Sequence, residues 1–209
     1  MTLGKKHTIF DRPFNQKAIM PRTKIQNEQI RVQKRMQIIN SALEIFAQKG
    51  YHTTTIADIA KHAGIAKGLM YSYFTSKEEL LHSILIEGYE LITEKFDPNH
   101  DGILEPQEML LFINDLFGKL NNDRDYWRLY FSVTLQPGVI DDYFRKEMIK
   151  KYKPLFDMII KYFEAKGVED PYLEMVFAHS LIDGVFINFL YDKDYPLDKI
   201  KQLVIKRLV

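Results

Sequence analysis

The chain has 209 residues, of which 46% are hydrophobic. It contains no cysteine, which excludes disulfides, thiolate metal sites and cysteine nucleophiles and fits a reducing cytoplasm. No segment reaches the roughly 18 uninterrupted apolar residues of a membrane span, and no signal peptide is recognisable, so we expect a cytoplasmic protein without a membrane partner. The net charge of +1 divides unevenly, because residues 1–80 carry 13 Lys and Arg against 6 Asp and Glu; the basic surface that nucleic acid requires is therefore confined to one end.

Residues 1–28 are polar, contain Pro13 and Pro21 and show no sustained periodicity, so we interpret them as a flexible basic arm. Such an arm can extend along DNA, although an unused tail explains it equally well. Over residues 29–49 apolar side chains recur at spacings of four and three, which predicts an amphipathic helix that ends at Gly50. Its apolar stripe is expected to be core.

Two short helical patterns separated by one glycine follow this helix. Thr54 or Thr55 caps the first, and Gly64 supplies a tight turn before a second helix predicted over residues 66–74. Ser76 then caps a third helix with the spacing of a capping box. This order is typical of a helix-turn-helix.

The second short helix has the dimensions of a recognition helix. Nine residues span about 13 Å, close to the roughly 12 Å width of the DNA major groove. Gly68 lets the backbone approach, Lys67 can donate to guanine or phosphate, and Leu69 can touch a thymine methyl group. Tyr71 and Tyr73 can donate hydrogen bonds to phosphates.

The run from Gly50 to Leu80 resembles the N-terminal signature of TetR-family regulators. It has a threonine cap, IA, AG, a small residue followed by Lys-Gly, then Y-x-Y-F and S-K-E-E-L, and the match covers about residues 39–80. The resemblance implies a repressor that binds double-stranded operator DNA as a homodimer. It places at the family's DNA-contacting positions Thr55, Lys67, Gly68, Tyr71, Tyr73 and Lys77. The alternative is that these side chains decorate a small helical domain.

Beyond residue 80 the pattern is helical throughout, and no alternating strand pattern competes with it. Helices are predicted over Ser76–Phe96, Pro106–Leu120, Arg124–Leu135, Val139–Lys166, Pro171–Tyr191 and Pro196–Leu208. The expected fold class is all-α, with a three-helix DNA-binding domain over residues 29–80 and a helical ligand-sensing and dimerisation domain over residues 81–209. The resemblance implies that two late helices pair across a twofold axis; packing within one chain is the rival explanation for their apolar stripes.

The C-terminal half is rich in aromatic residues that can line a cavity for a small hydrophobic or aromatic effector. The candidate apolar lining is Trp127, Tyr130, Phe131, Phe144, Phe177 and Phe186, with His179, Asp183 or Arg128 as polar anchors. The alternative is that these aromatic side chains form the core.

The segment DPNHDGILEPQE, residues 97–108, fits the calcium-loop pattern of an EF-hand. A repressor of the predicted kind requires no cofactor. The candidate oxygen donors are Asp97, Asn99, Asp101, the Ile103 carbonyl, Glu105 and Glu108, and Gly102 lies where the loop turns sharply. Pro98 and Pro106 are unusual in such a loop, and EF-hands commonly occur in pairs. The alternative is a polar connection between two helices, because Asp, Asn, Gly and Pro are also the residues of turns.

Two classes of function remain after these observations. The first is a repressor that releases DNA when an effector binds, and the second is a calcium-responsive interaction protein. An enzyme is disfavoured, because no glycine-rich phosphate loop follows a strand and the six histidines are scattered without the spacing of metal ligands.

Overall fold

A computed structural model describes residues 23–209, and these residues contain helices and turns but no β-strand. The predicted all-α class is confirmed. The helices in order are α1 (Lys24–Lys49), α2 (Ile56–His62), α3 (Lys67–Met70), α4 (Lys77–Thr93), α5 (Pro106–Asn122), α6 (Arg124–Thr134), α7 (Asp142–Ala165), α8 (Pro171–Tyr191) and α9 (Leu197–Leu208). Among the described residues, 23–34 belong to one compact unit and 35–209 to another.

Helix α1 begins five residues earlier than the hydrophobic periodicity predicts. The Thr23 hydroxyl accepts a hydrogen bond from the Gln26 amide, and the Gln26 side chain accepts one from the Thr23 amide. This reciprocal capping starts the helix at Lys24. Residues 24–28, which were predicted to belong to a flexible arm, are therefore helical. The rest of the predicted arm, residues 1–22, lies outside the described residues.

Helices α1, α2 and α3 pack around one small core. Ile59 and Ala60 of α2 are buried. Met70, the last residue of α3, and Phe74, in the turn that follows, are buried as well. Gly64 separates α2 from α3 and has a φ of +64°, a conformation that side chains with a Cβ rarely adopt. The helix-turn-helix order predicted from the sequence is present.

Helix α3 is shorter than the nine residues predicted. α-Helical geometry covers Lys67–Met70, and the chain then continues in turns, with the Ser72 amide bonded to the Leu69 carbonyl and the Tyr73 amide to the Met70 carbonyl. These bonds join residues three apart, which tightens the last turn relative to an α-helix. The segment still presents one outward face.

Helix α4 runs without a break across residue 80, the boundary predicted between the two domains, and its buried face continues into the second half of the molecule. Helices α5 to α9 pack around an apolar core to which all five contribute. Helix α7 continues through Pro154. The division of the chain at residue 80 stays a prediction.

Helix α8 is long and apolar enough to cross a membrane by length and composition, with a mean hydropathy of 1.4. One such helix is weak evidence for a membrane protein, and α8 packs against α6, α7 and α9. Its outer face nevertheless exposes large apolar side chains to solvent. They are Tyr172, Leu173, Val176, Phe177, Ile187 and Tyr191.

Candidate DNA-binding surface and effector cavity

Most of the predicted DNA contacts lie on one exposed surface around α3. Lys67, Gly68, Leu69 and Tyr71 are all exposed, and the Lys67 ammonium makes no hydrogen bond or ion pair within residues 23–209. Tyr73 differs, because it is half-buried and packs against the core. The first four residues are therefore free to contact DNA, while Tyr73 also supports the domain.

Thr55 has a structural role at the start of α2. Its hydroxyl accepts a hydrogen bond from the Asp58 amide, and the Asp58 carboxylate accepts one from the Thr55 amide. The Thr55 hydroxyl also donates to the Asp58 carboxylate at 2.6 Å, and this bond and the one from the Thr55 amide lower the pKa of the Asp58 carboxyl. Thr55 is also exposed, and its DNA contact stays a prediction.

Lys77 is held against the protein, which the sequence did not predict. Its ammonium donates to the backbone carbonyls of Tyr51 and Thr54, each at 2.9 Å, and lies 4.3 Å from the centre of the Tyr51 ring. The side chain thus closes the loop between α1 and α2. Its predicted DNA contact stays a prediction and would require these hydrogen bonds to be shared or released.

The C-terminal end of α6 is hydrogen-bonded to the same loop. Gln136 accepts from the Tyr51 amide at 2.8 Å and donates to the Phe46 carbonyl at 3.2 Å. The His52 ring is 2.9 Å from the carbonyl oxygen of Pro137. A single glutamine side chain therefore joins α6 to the end of α1.

A second contact joins α6 to α4. The Tyr130 hydroxyl donates to the Leu85 carbonyl at 2.9 Å, and the Tyr130 ring lies directly against Gly88, where a Cβ would overlap it. Burial raises the pKa of the Tyr130 hydroxyl, so it remains a neutral hydrogen-bond donor. Any displacement of Tyr130 therefore acts on the helix that begins beside the DNA-binding surface.

A cavity of about 290 Å³ lies between α4, α5, α6, α7 and α8, with a mainly apolar wall. Of the predicted lining residues, five border it: Tyr130, Phe131, His179, Asp183 and Phe186. The sequence did not single out most of the lining supplied by α4, the turn after it, α5 and α7, which includes Tyr89, Phe96, Met109, Phe112, Leu116 and Ile159. On α5 the signal was an apolar stripe with spacings of three and four, which is equally typical of core.

Four predicted pocket residues lie outside this cavity, and one of them, Arg128, is exposed and pairs with Asp125 at 3.1 Å. Trp127 is buried in the core, where its indole nitrogen donates to the Lys119 carbonyl at 3.2 Å. Phe177 is 47% exposed on the outer face of α8, with the Arg207 guanidinium 5.5 Å from its ring centre. Phe144 stacks on His82 and borders a second, neighbouring cavity. Aromatic residues of this half thus serve the core and the surface as well as the cavity.

Asp183 is the acidic side chain of the cavity wall. Burial raises its pKa, and His179, whose Nε2 is 3.5 Å from the Asp183 carboxylate, lowers it by less. Solvent still reaches 51% of the Asp183 side chain, which weakens both effects. The pair supplies a hydrogen-bonding group in an otherwise apolar wall.

The second cavity has a volume of about 240 Å³ and lies between α4, α6 and α7. It shares with the first cavity the side chains of Tyr89, Tyr130, Thr134, Ile140 and Phe156. The two cavities are therefore neighbours across a common wall. Arg145 and Tyr152 border the second cavity but not the first.

The loop from Asp97 to Glu108 has several features of a calcium loop. The Gly102 amide donates to one Asp97 oxygen at 3.2 Å, and the other Asp97 oxygen is buried without a hydrogen bond in the described structure. Gly102 has a φ of +77°, Leu104 is buried and Glu108 is 8% exposed. Within residues 23–209, however, no three His, Asp or Glu side chains converge as a metal site requires.

Comparisons with known proteins agree with this arrangement. Residues 38–84 match the family model described as bacterial regulatory proteins, tetR family. The Bacillus subtilis fatty acid metabolism regulator protein is 27% identical over 183 residues, which cover 84% of this chain and 94% of the relative. The Staphylococcus epidermidis negative transcriptional regulator IcaR of the icaADBC biofilm operon is 25% identical over 127 residues, covering 61% of this chain and 68% of the relative.

Solved structures share the fold. The transcriptional regulator FadR from Bacillus subtilis, in complex with stearoyl-CoA, superposes with a TM-score of 0.65 at 24% identity, over 83% of this chain and 97% of that one. A capped α2, a glycine turn and an exposed α3 on a helical body define a helix-turn-helix DNA-binding protein. The chain is a transcriptional regulator and belongs to the TetR family.

Proposed function

We propose that this regulator is a homodimeric repressor that releases operator DNA when a long-chain acyl compound enters the apolar cavity. The observation that carries the proposal is the position of Tyr130, which borders the cavity and also contacts Gly88 and Leu85 of α4. An occupant of the cavity meets the same side chain that sets the position of α4. Occupancy and the placement of the DNA-binding surface are thereby coupled.

The chemistry of the wall supports the class of effector. Apolar side chains from all six helices α4 to α9 surround the cavity, and few polar groups interrupt them. Such a wall favours a ligand with a long hydrocarbon part, because burying apolar surface is the main source of its affinity. A relative named as a fatty acid metabolism regulator and a structural neighbour bound to stearoyl-CoA support the same choice.

The exposed face of α8 supports a homodimer. Leu173, Val176 and Phe177 are followed along the same side of the helix by Ile187 and Tyr191, and all are exposed in the single chain. A stripe of this kind favours helix packing against a second copy. A dimer also places two recognition helices in major grooves about 34 Å apart, as a helix-turn-helix protein requires.

The proposal is tested with DNA fragments selected from the genome by the purified protein. Fluorescence anisotropy then measures the affinity for the selected fragment with and without long-chain acyl compounds. We expect those compounds to lower the affinity at least fivefold, a coupling typical of allosteric proteins, and short-chain homologues to have little effect. Equal affinity in the presence of a compound shown to bind would contradict effector release.

A calcium-responsive role is the second candidate, and the buried Asp97 oxygen without a partner favours it. A calcium ion would draw the loop donors toward one point and satisfy that oxygen. Titration calorimetry with Ca²⁺ should give a binding heat that Glu108→Gln abolishes. The variant keeps the bond that Glu108 accepts from the Glu105 amide, so it preserves the start of α5. No heat with the unmodified protein would exclude the site.

A further inference from the structure

The second cavity contains a buried hydroxyl group without a hydrogen bond. Tyr152 of α7 is 8% exposed, and its hydroxyl oxygen makes no hydrogen bond of ordinary geometry within the described residues, with the Lys151 ammonium beside it. Buried polar groups are nearly always paired, since leaving one unpaired forfeits its hydrogen bonds to water. An unpaired hydroxyl that borders a cavity is therefore placed to bond a ligand.

The charge around this hydroxyl is positive. Arg145, about two turns before Tyr152 on α7, borders the same cavity, and its guanidinium makes no ion pair within residues 23–209. The Lys151 ammonium lies 5.3 Å from the centre of the Tyr152 ring and is bonded to Glu90 at 2.6 Å. Burial raises the pKa of the Tyr152 hydroxyl more than Lys151 lowers it, so the group is a neutral donor.

The remaining wall of the second cavity is apolar. Leu85, Phe144, Met148 and Ile149 contribute to it, together with the side chains shared with the main cavity. A ligand that displaces the side chains shared by the two cavities would thus extend from an almost wholly apolar wall to one that offers a hydroxyl donor and the Arg145 guanidinium. This polarity matches an amphiphile with a long apolar chain and an anionic head.

We infer that the second cavity binds the head of the effector, with the Tyr152 hydroxyl donating to a head-group oxygen and Arg145 pairing with its negative charge. The inference rests on the proposed function and extends it by giving the effector an orientation. The head is an acyl oxygen accompanied by negative charge. A free long-chain acid supplies both in its carboxylate, while an acyl-CoA supplies them as a thioester carbonyl and phosphates.

The test measures dissociation constants of palmitic acid, palmitoyl-CoA and the neutral alcohol hexadecanol for the full-length protein. Tyr152→Phe should weaken the binding of whichever anionic probe carries the natural head group, palmitic acid or palmitoyl-CoA, by about tenfold. This is the effect of losing one hydrogen bond to a charged or strongly polar group. Arg145→Gln should weaken the anionic probe similarly and leave hexadecanol unchanged. Tyr143→Phe and Lys146→Gln, both at exposed positions of α7, are the matched controls.

The stability of Tyr152→Phe without effector gives an independent readout. Because the hydroxyl has no partner, its removal should raise Tm by about 2–4 °C for a chain of this size. A hydroxyl with a structural partner would give a lower Tm instead. This result also shows that the variant is folded.

The outcomes separate the two proposals. Binding of an anionic long-chain probe by the unmodified protein, unchanged in both Tyr152→Phe and Arg145→Gln, would overturn the head-group site and leave the effector class intact. Binding of palmitoyl-CoA but not palmitic acid, lost in the variants, would support the site and identify the thioester with its phosphates as the head. Failure of the unmodified protein to bind any probe would contradict both proposals.

Discussion

At the scale of single residues, Gly88 decides how closely α4 and α6 approach. The Tyr130 ring occupies the space that a Cβ at this position would need, and the Tyr130 hydroxyl reaches the Leu85 carbonyl one turn earlier on α4. A glycine inside a helix is usually unfavourable because it increases the flexibility of the unfolded chain. Here the close contact with a residue of the cavity wall explains its presence.

Gly88→Ala should lower the free energy of unfolding by about 1–3 kcal/mol, because the new methyl group forces the Tyr130 ring to move. Gly118→Ala in α5 is the matched control. A Cβ there meets no atom within 4 Å, so alanine should stabilise the protein by about 0.5–1 kcal/mol. Urea denaturation measures both. Equal effects of the two substitutions would argue against the close packing of α4 on α6.

Lys67→Ala and Tyr71→Ala should each weaken operator binding by about tenfold or more, equivalent to roughly 1–3 kcal/mol per lost contact. Both side chains are exposed, so the variants should unfold at the same temperature as the unmodified protein. Lys161→Ala, an exposed lysine of α7, controls for the loss of one positive charge. Unchanged affinity in both variants would show that α3 is not the recognition helix.

At the scale of helices, the sequence predicted the order and type of the helices better than it predicted their lengths and the side chains that line the cavity. The helix-turn-helix was predictable because its caps, its glycine turn and its apolar spacings are all local. The length of α3 was not, since bonding between residues three apart rather than four leaves no trace in the periodicity. The Thr23 and Gln26 capping pair had the recognisable spacing and was overlooked.

The cavity lining was only partly predictable because each helix has several buried and exposed faces. Phe177 and Phe186 are nine residues apart on α8, or two and a half turns, so they lie on opposite sides of the helix. This spacing argues against the prediction that both line one cavity, and only Phe186 does so. Which of them does depends on the packing of α8 against α6 and α7, and this is a tertiary property.

Helix α6 is the element that we expect to transmit effector binding, through Gln136. Gln136→Ala removes the bonds to the Tyr51 amide and the Phe46 carbonyl, while the cavity wall is unchanged. Effector affinity measured without DNA should therefore stay within about twofold, while the effector-induced loss of operator affinity should shrink severalfold. Pro137→Ala keeps the backbone carbonyl that contacts His52 and serves as the control. Full coupling in Gln136→Ala would contradict this route.

At the scale of the whole molecule, the positive N-terminal part and the apolar outer face of α8 predict how the protein assembles on DNA. Leu173→Glu should convert the proposed dimer to a monomer, because it places a charge on the apolar stripe that the dimer would bury. Leu135→Glu is the matched control, as both leucines are 60% exposed and only Leu173 lies on α8. Analytical ultracentrifugation measures the change. Dissociation by both variants or by neither would contradict the proposed interface.

The coupling between cavity and DNA is tested most directly by titrating a selected operator fragment with the unmodified protein at fixed salt, with and without a saturating long-chain acyl compound. We expect tight binding without the compound and at least a fivefold loss of affinity in its presence. No binding to any selected fragment at low salt, or an affinity unaffected by a compound that calorimetry shows to be bound, would contradict effector-released DNA binding.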